Sequence, residues 1–430
     1  PAGIGASAFL CDWSVPVQPS MAAMMLRRRP VRIGMQMAQT RYLVDLPALR
    51  LANHSAIKDL QEVRQRDIFL KQLAGRSVNP SGRNPSGEPE AKYSAEAFQA
   101  SSLGKADLRL LLTGGFATFL LHVEARVAAA VGQGFYTIGP CGEELLGALG
   151  AVLRPTDPSA LHYRHVAVSI VRQLKCGRPV EEIILDRARG YVCSTLDPVT
   201  SGRHCAIGGT KSDFLVTSTL ASQCTPAVGR AQAVGLAVTL GVPTFPKDCV
   251  SFVSLGEGSA NNAHFWSAVN LAMYSQHSRI KCPVVFAISD NQVSISLRDN
   301  GWVHSLPTRL GMKGQTFIAD GGDVLDIYSK SSEAVAYSRR LGRPSLLIFK
   351  NLSRRFGHAS TDRQAAYLST GDIESAAARN DLLGVCELAV NAGVVTWAEL
   401  GREFDHLLGI VLGAFDRAVG EPKIESRGGL

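Results

Sequence analysis

No Cys-x-x-Cys pair occurs among the nine cysteines of this 430-residue chain, and their number is odd. A disulfide framework and a zinc cage both need paired spacings, so neither is indicated, and reduced thiols are the expectation. Uninterrupted apolar runs long enough to cross a bilayer are also missing. The best candidate, residues 108–131, is broken by Arg109, His122, Glu124 and Arg126. No internal repeat is evident. Acidic residues are absent between Ser14 and Val44, where Arg27, Arg28, Arg29, Arg32 and Arg41 stand among Met, Ala, Val and Ile. An Arg-rich, acid-free, potentially amphipathic stretch has the composition of an organellar transit peptide, with Met21 as a candidate start. A solvated basic tail is the alternative. A nucleic-acid arm would need aromatic residues interleaved with longer Lys/Arg runs, and these are lacking.

What is present fits an ordinary globular enzyme. Hydrophobic residues make up 46% and charged residues 19%, so a sizeable core can form. The net charge of +8 is lopsided: residues 1–100 hold 13 Lys and Arg against 8 Asp and Glu, whereas the other 330 hold 32 against 29. Residues 73–104 are rich in Pro, Gly, Ser and Asn, which punctuate helices and strands. Three regions are therefore expected: a basic extension over 1–72, a linker over 73–104, and a folded catalytic unit over 105–430. Within that unit helical periodicity runs from Asp107 to Val131 and again after Asp381, and strand-like runs alternate with helical ones. Such alternation predicts an α/β fold with a mostly parallel sheet and helices on both faces.

The densest signal lies between Gly256 and Asn291. The β-branched and aromatic run Cys249–Leu255 ends in Gly256-Glu257-Gly258-Ser259-Ala260-Asn261-Asn262. A helical stretch follows, then a second strand, Pro283–Ser289, and Asp290-Asn291. Two glycines around a carboxylate permit a tight turn and close approach to a ligand. A carboxylate and an amide oxygen at the ends of neighbouring parallel strands are hard ligands suited to magnesium.

This segment resembles the thiamine diphosphate motif. Its Gly-Glu-Gly form is similar to that of the alpha subunit of branched-chain 2-oxoacid dehydrogenases. The resemblance implies a thiamine diphosphate-binding fold, with Glu257, Asn291 and the Val293 carbonyl holding Mg2+, and with Gly256, Gly258 and Ser259 beside the cofactor. Other segments fit the same family in the same order. Leu161-His162-Tyr163-Arg164 resembles the stretch whose Tyr-Arg pair reaches the diphosphate. Residues 217–231 resemble Ser-x-Leu-Ala-x-Gln-x-x-x-Ala-Val-Gly, which implies that Ser218 bonds near the cofactor, that Leu220 wedges beneath it, and that Ser222 and Gln223 hold K+. In Arg354-Arg355-Phe356-Gly357-His358-Ala359-Ser360-Thr361-Asp362, counting back from Tyr367 puts His358 at the catalytic histidine, which would touch the cofactor's reacting end. Ala359 replaces the Ser that the mitochondrial members phosphorylate.

The implied activity is oxidative decarboxylation of a 2-oxoacid, branched-chain in preference to pyruvate, with acyl transfer to a lipoyl group. The implied partners are a lipoyl acyltransferase and a beta subunit or beta half carrying the pyrimidine-binding domain, since nothing after Asp381 resembles that half. The implied location is the mitochondrial matrix, with another organelle as the alternative. Neither a membrane nor nucleic acid is an expected partner. A noncatalytic homologue that keeps the fold for assembly is the alternative reading, prompted by Glu257, Asp290 and Ala359.

Overall fold

Five parallel strands form the centre of the computed structural model, which describes residues 45–78, 93–134, 138–140, 142–203, 213, 219–243, 245–295 and 297–425. In chain order they are β1 (Ser159–Ala160), β2 (Ser251–Gly256), β3 (Val284–Ser289), β6 (Thr316–Asp320) and β7 (Ser345–Lys350). A two-residue pair, β4 (Val293–Ser294) and β5 (Leu297–Arg298), forms a small antiparallel hairpin beyond β3. The spatial order of the sheet is β1-β2-β3-β7-β6, with every neighbouring pair parallel. β2 and β3 are buried along their whole length. That explains why they read as continuous apolar runs and not as alternation: helices cover both faces of such a sheet. The expected parallel α/β fold is observed. β1, only two residues long, and the partly exposed edge strand β6 lack that apolar signature.

The register fixes the geometry of the site. Gly256 pairs with Ser289, so β2 and β3 end side by side. The chain leaves β2 through a short helical turn, and Asn262 then caps the helix Ala263–His277 by accepting the His264 amide at 2.9 Å. At the tip of β3, Asp290 accepts the Gln292 amide at 2.8 Å, and Gln292 adopts a left-handed φ of 65°. The acid at 290 therefore caps a turn that swings the following residues back over the strand ends.

By length and apolar content the helix Lys105–Ala130 is the one described segment able to span a bilayer, but nearly all of its apolar stretch is buried inside the fold. Phe116 and Phe119 on it meet Phe69 edge-on at 5.9 Å each, and Phe404 joins the cluster. Phe69 belongs to the helix Gln61–Val78, upstream of the expected boundary at residue 105. Leu46, Val63, Phe69 and Leu73 are all buried in the same core. The described part of residues 1–72 is thus packed helix, because Val63, Phe69 and Leu73 form an apolar stripe that docks on Lys105–Ala130. All described residues fall in one unit that begins at Val44. The Arg-rich stretch and residues 79–92 of the Pro/Gly/Ser-rich segment lie outside the described residues.

Candidate active site

Four consecutive strands of the sheet send their C-terminal loops into one cavity of about 230 Å³. After β1 come His162, Tyr163 and Arg164; after β2, Gly256 to Ser259; after β3, Asn291, Val293, Ser294, Ile295 and Leu297; after β7, Arg354 and His358. Leu220, from the turn ahead of the helix Cys224–Thr239, closes one side. Ligand sites in open α/β sheets sit at this carboxyl edge, where the loops of parallel strands can converge.

Glu257 is 3% exposed, and Ser294 Oγ donates to its Oε1 at 3.4 Å, while its Oε2 is buried without a hydrogen-bond partner. Burial pushes the carboxyl up to about 7, against the pull of the Arg164 guanidinium. A buried carboxylate oxygen in that state lacks a positive partner, and a cation in the cavity would supply one. With Asn291 on the adjacent strand tip and the Val293 main chain beyond it, the available donors are all oxygens, the set magnesium takes. The residues fit the ion.

Across the cavity Arg164 Nε donates to Glu143 Oε1 at 2.7 Å and Nη1 to the Tyr163 hydroxyl at 3.3 Å. Glu143 is fully buried, and its second oxygen lies 3.2 Å from His165 Nε2, which in turn is 3.3 Å from Ser289 Oγ. Despite burial, Arg164 and His165 hold the Glu143 carboxyl below the usual range. The structure adds a packing reason for the glycines. Neither Gly256 nor Gly258 has a positive φ. Instead, a methyl at Gly256 would strike the Arg164 guanidinium, and one at Gly258 would strike the Ser294 hydroxyl.

One carboxylate oxygen gathers three donors of the β7 loop. Asp362 Oδ2 accepts the His358 amide at 2.7 Å, the Tyr367 hydroxyl at 2.7 Å and Arg354 Nη2 at 3.1 Å. Arg354 also donates to the Ile295 carbonyl at 3.2 Å, tying this loop to the hairpin after β3. The His358 ring meets Tyr163 edge-on at 5.9 Å. Burial, helped by Arg164 and Arg354, lowers its pKa to about 4, so the ring is neutral near pH 7.

Family comparison places the whole catalytic segment. Residues 122–426 match the family described as the dehydrogenase E1 component. The chain belongs to that family. Its E1 members depend on thiamine diphosphate. The chain is also 27% identical over 320 residues to the 2-oxoisovalerate dehydrogenase subunit alpha of Bacillus subtilis (strain 168), a stretch covering 73% of this chain and 86% of that relative.

Of the residues singled out in the sequence, Tyr163, Arg164, Leu220, Gly256, Glu257, Gly258, Ser259, Asn291, Val293 and His358 line this one E1 cavity. Ser218 lies outside the described residues. Ser222 and Gln223 stand off the cavity: the Ser222 hydroxyl donates to Thr219 O at 3.0 Å, and the Gln223 amide to Ser254 O at 2.8 Å, leaving Gln223 Oε1 buried without a partner. Glu143, His162, His165, Ser294 and Arg354 were missed. Arg354 was the most accessible of these, since it opens the same motif four residues before His358.

Proposed function

We propose that this E1 chain is the alpha part of a thiamine diphosphate-dependent branched-chain 2-oxoacid dehydrogenase. In this reading it acts with a beta partner in the mitochondrial matrix and hands the acyl group to the lipoyl group of an acyltransferase. The observation that carries it is the meeting of Glu257 and Asn291, from adjacent strand tips, with Arg164 and His358 in one cavity. The branched-chain preference is supported by the name of the Bacillus subtilis relative. The matrix location is supported by the acid-free, Arg-rich stretch.

Roles follow from chemistry. Glu257, Asn291 and the Val293 carbonyl would hold Mg2+, and the Gln223 amide oxygen is a candidate ligand for K+. Arg164 and Tyr163 would bind the diphosphate, since a guanidinium fork gives charge-assisted bonds to phosphate oxygens. Glu143 keeps that fork aimed. Thiamine diphosphate supplies, when bound, the electron sink that permits loss of carbon dioxide from a 2-oxoacid. Leu220 would support its bent shape. His358, a neutral imidazole, can donate a hydrogen bond to the substrate's carboxylate or carbonyl oxygen and accept a proton in turn. Leu220, Ile295 and Leu297 stand at the rim, 47%, 49% and 71% exposed, which supports closure of the site by a second chain.

Calorimetric titration of the alpha chain assembled with its beta partner tests this reading. Saturable, Mg2+-dependent thiamine diphosphate binding is expected, weakened by roughly 100-fold or more in Glu257→Ala and Asn291→Ala, since even outer-shell changes at metal sites cost about 10–100-fold. An artificial-acceptor assay should then show faster turnover of branched-chain 2-oxoacids than of pyruvate. No binding by the assembled wild-type protein would overturn the enzyme reading in favour of a noncatalytic homologue.

A further inference from the structure

We propose that Glu62, on a helix that precedes the segment matching the E1 family, is a positioning residue for His358, acting through Arg126 on the loop that presents the histidine. The inference rests on the reading of His358 given above.

The loop is gripped from behind as well as from the cavity side. Arg126, on the helix Lys105–Ala130, donates from Nη2 to the Gly357 carbonyl at 3.2 Å, one residue ahead of His358. The orientation of that carbonyl sets the peptide plane from which His358 departs. Glu62 Oε1 lies 3.4 Å from Arg126 Nε and 3.8 Å from His122 Nε2. The His122 ring in turn stacks on Phe356 at 4.8 Å and 18°. Next to Glu62, the Gln61 amide donates to the Arg355 carbonyl at 3.4 Å. Residues 355–357 are therefore held, through two side chains of the Lys105–Ala130 helix and one direct bond, by the first turn of Gln61–Val78.

Glu62 sets a carboxylate beside Arg126, which is 5% exposed, and a guanidinium so far from water is steadied by a paired charge. Against the cost of burial, His122 and Arg126 keep the Glu62 carboxyl below the usual range, so it is ionised at neutral pH. Packing alone does not replace the tether. Behind the loop is a cavity of about 620 Å³ lined by Glu62, Arg126, Gly357, Ser360 and Thr361, among others. Without the Glu62–Arg126 pair the loop has room to retreat, and His358 would leave the position from which it faces Tyr163.

The test compares Glu62→Gln, Arg126→Gln, the double variant and the surface control Arg64→Ala, each as the full alpha chain assembled with its beta partner. Expected for Glu62→Gln is a fall in kcat of roughly tenfold or more, the scale of supporting-residue losses, with thiamine diphosphate affinity unchanged within about twofold. Hydrogen exchange of the amides over 355–362, including that of His358, should accelerate, while the β2 and β3 amides keep wild-type protection. The double variant should be no worse than the single ones, because the two residues act as one unit. Wild-type kcat with wild-type exchange over 355–362 would overturn the proposal. So would a uniform loss of protection across β2, β3 and the loop, since that marks a merely structural role. Faster loop exchange together with full activity in His358→Ala would support the tether and instead fault the reading of His358, so the two failures are distinguishable.

Discussion

The two sides of the cavity are built in different ways. On one side Glu257 and Asn291 ride on the tips of β2 and β3, whose backbone ladder sets Gly256 opposite Ser289. On the other, Arg354 and His358 sit on a loop that follows β7 and owes its shape to Asp362 in front and Arg126 behind. The strand side is placed by backbone, whereas the loop side is placed by ionised and polar side chains. A parallel ladder keeps its register whatever the surface residues do, and a metal site gains from that rigidity. A loop held by polar contacts can be retuned one residue at a time, and it also fails one residue at a time.

Glu143 offers the sharpest challenge to this division, because it is the buried side chain on which the strand side does depend. It joins Arg164 at 2.7 Å to His165 at 3.2 Å, and His165 reaches Ser289 at the tip of β3. Replacing one partner of a buried pair leaves the other uncompensated, so Glu143→Ala should destabilise the fold by roughly 3–5 kcal/mol. Urea denaturation measures this. A cost below about 1 kcal/mol, within the range of exposed ion pairs, would mean that the ladder alone holds the strand side.

Acid should weaken the loop side through two buried histidines. His122, buried against Phe356, has its pKa lowered by burial from the ordinary histidine value of about 6.5 to about 4. The unfolded chain therefore takes up the proton before the folded one does as pH falls. Stability should be intact above about pH 6.5 and lost progressively toward pH 4, by about 3 kcal/mol from this histidine. His358, also lowered to about 4, acts in the same direction over the same window. Denaturant midpoints between pH 7 and 4 test it, with His122→Asn expected to flatten the slope. An unchanged slope in that variant would show that the stack on Phe356 does not couple titration to folding.

The same division explains what was legible in the sequence. β2, its acidic Gly turn and β3 announce themselves because strand, turn and ligand residue are neighbours in the chain, and burial on both faces leaves an unbroken apolar run. The helix Lys105–Ala130 and the closing helices Asp381–Asn391 and Trp397–Val419 were readable for a similar reason, helical period being a local property. Glu143, 21 residues from Arg164, and Arg126, 231 residues from Gly357, gave no such sign, because their pairings exist only in the folded chain. The glycines show a subtler limit. Their presence was readable, but the Arg164 and Ser294 side chains that a Cβ there would displace were not. The helix Gln61–Val78 was hidden by its neighbourhood, a basic amino end and a Pro/Gly-rich stretch that together read as an extension.

The smallest expected effect comes from a residue two positions away from Glu62 on the same helix. Arg64 pairs with Asp59 at 2.7 Å, a shorter contact than the 3.4 Å between Glu62 and Arg126. Distance alone would rank the surface pair as the stronger. Both of its partners are more than half exposed, however, so water screens the attraction and already solvates each charge when the pair opens. Arg64→Ala should therefore change stability by less than about 1 kcal/mol and leave kcat at the wild-type value, as read by thermal melting and steady-state turnover. If it matched Glu62→Gln in either readout, the helix as a whole would be what matters, and the distinction between a buried tether and a solvated pair would lose its basis.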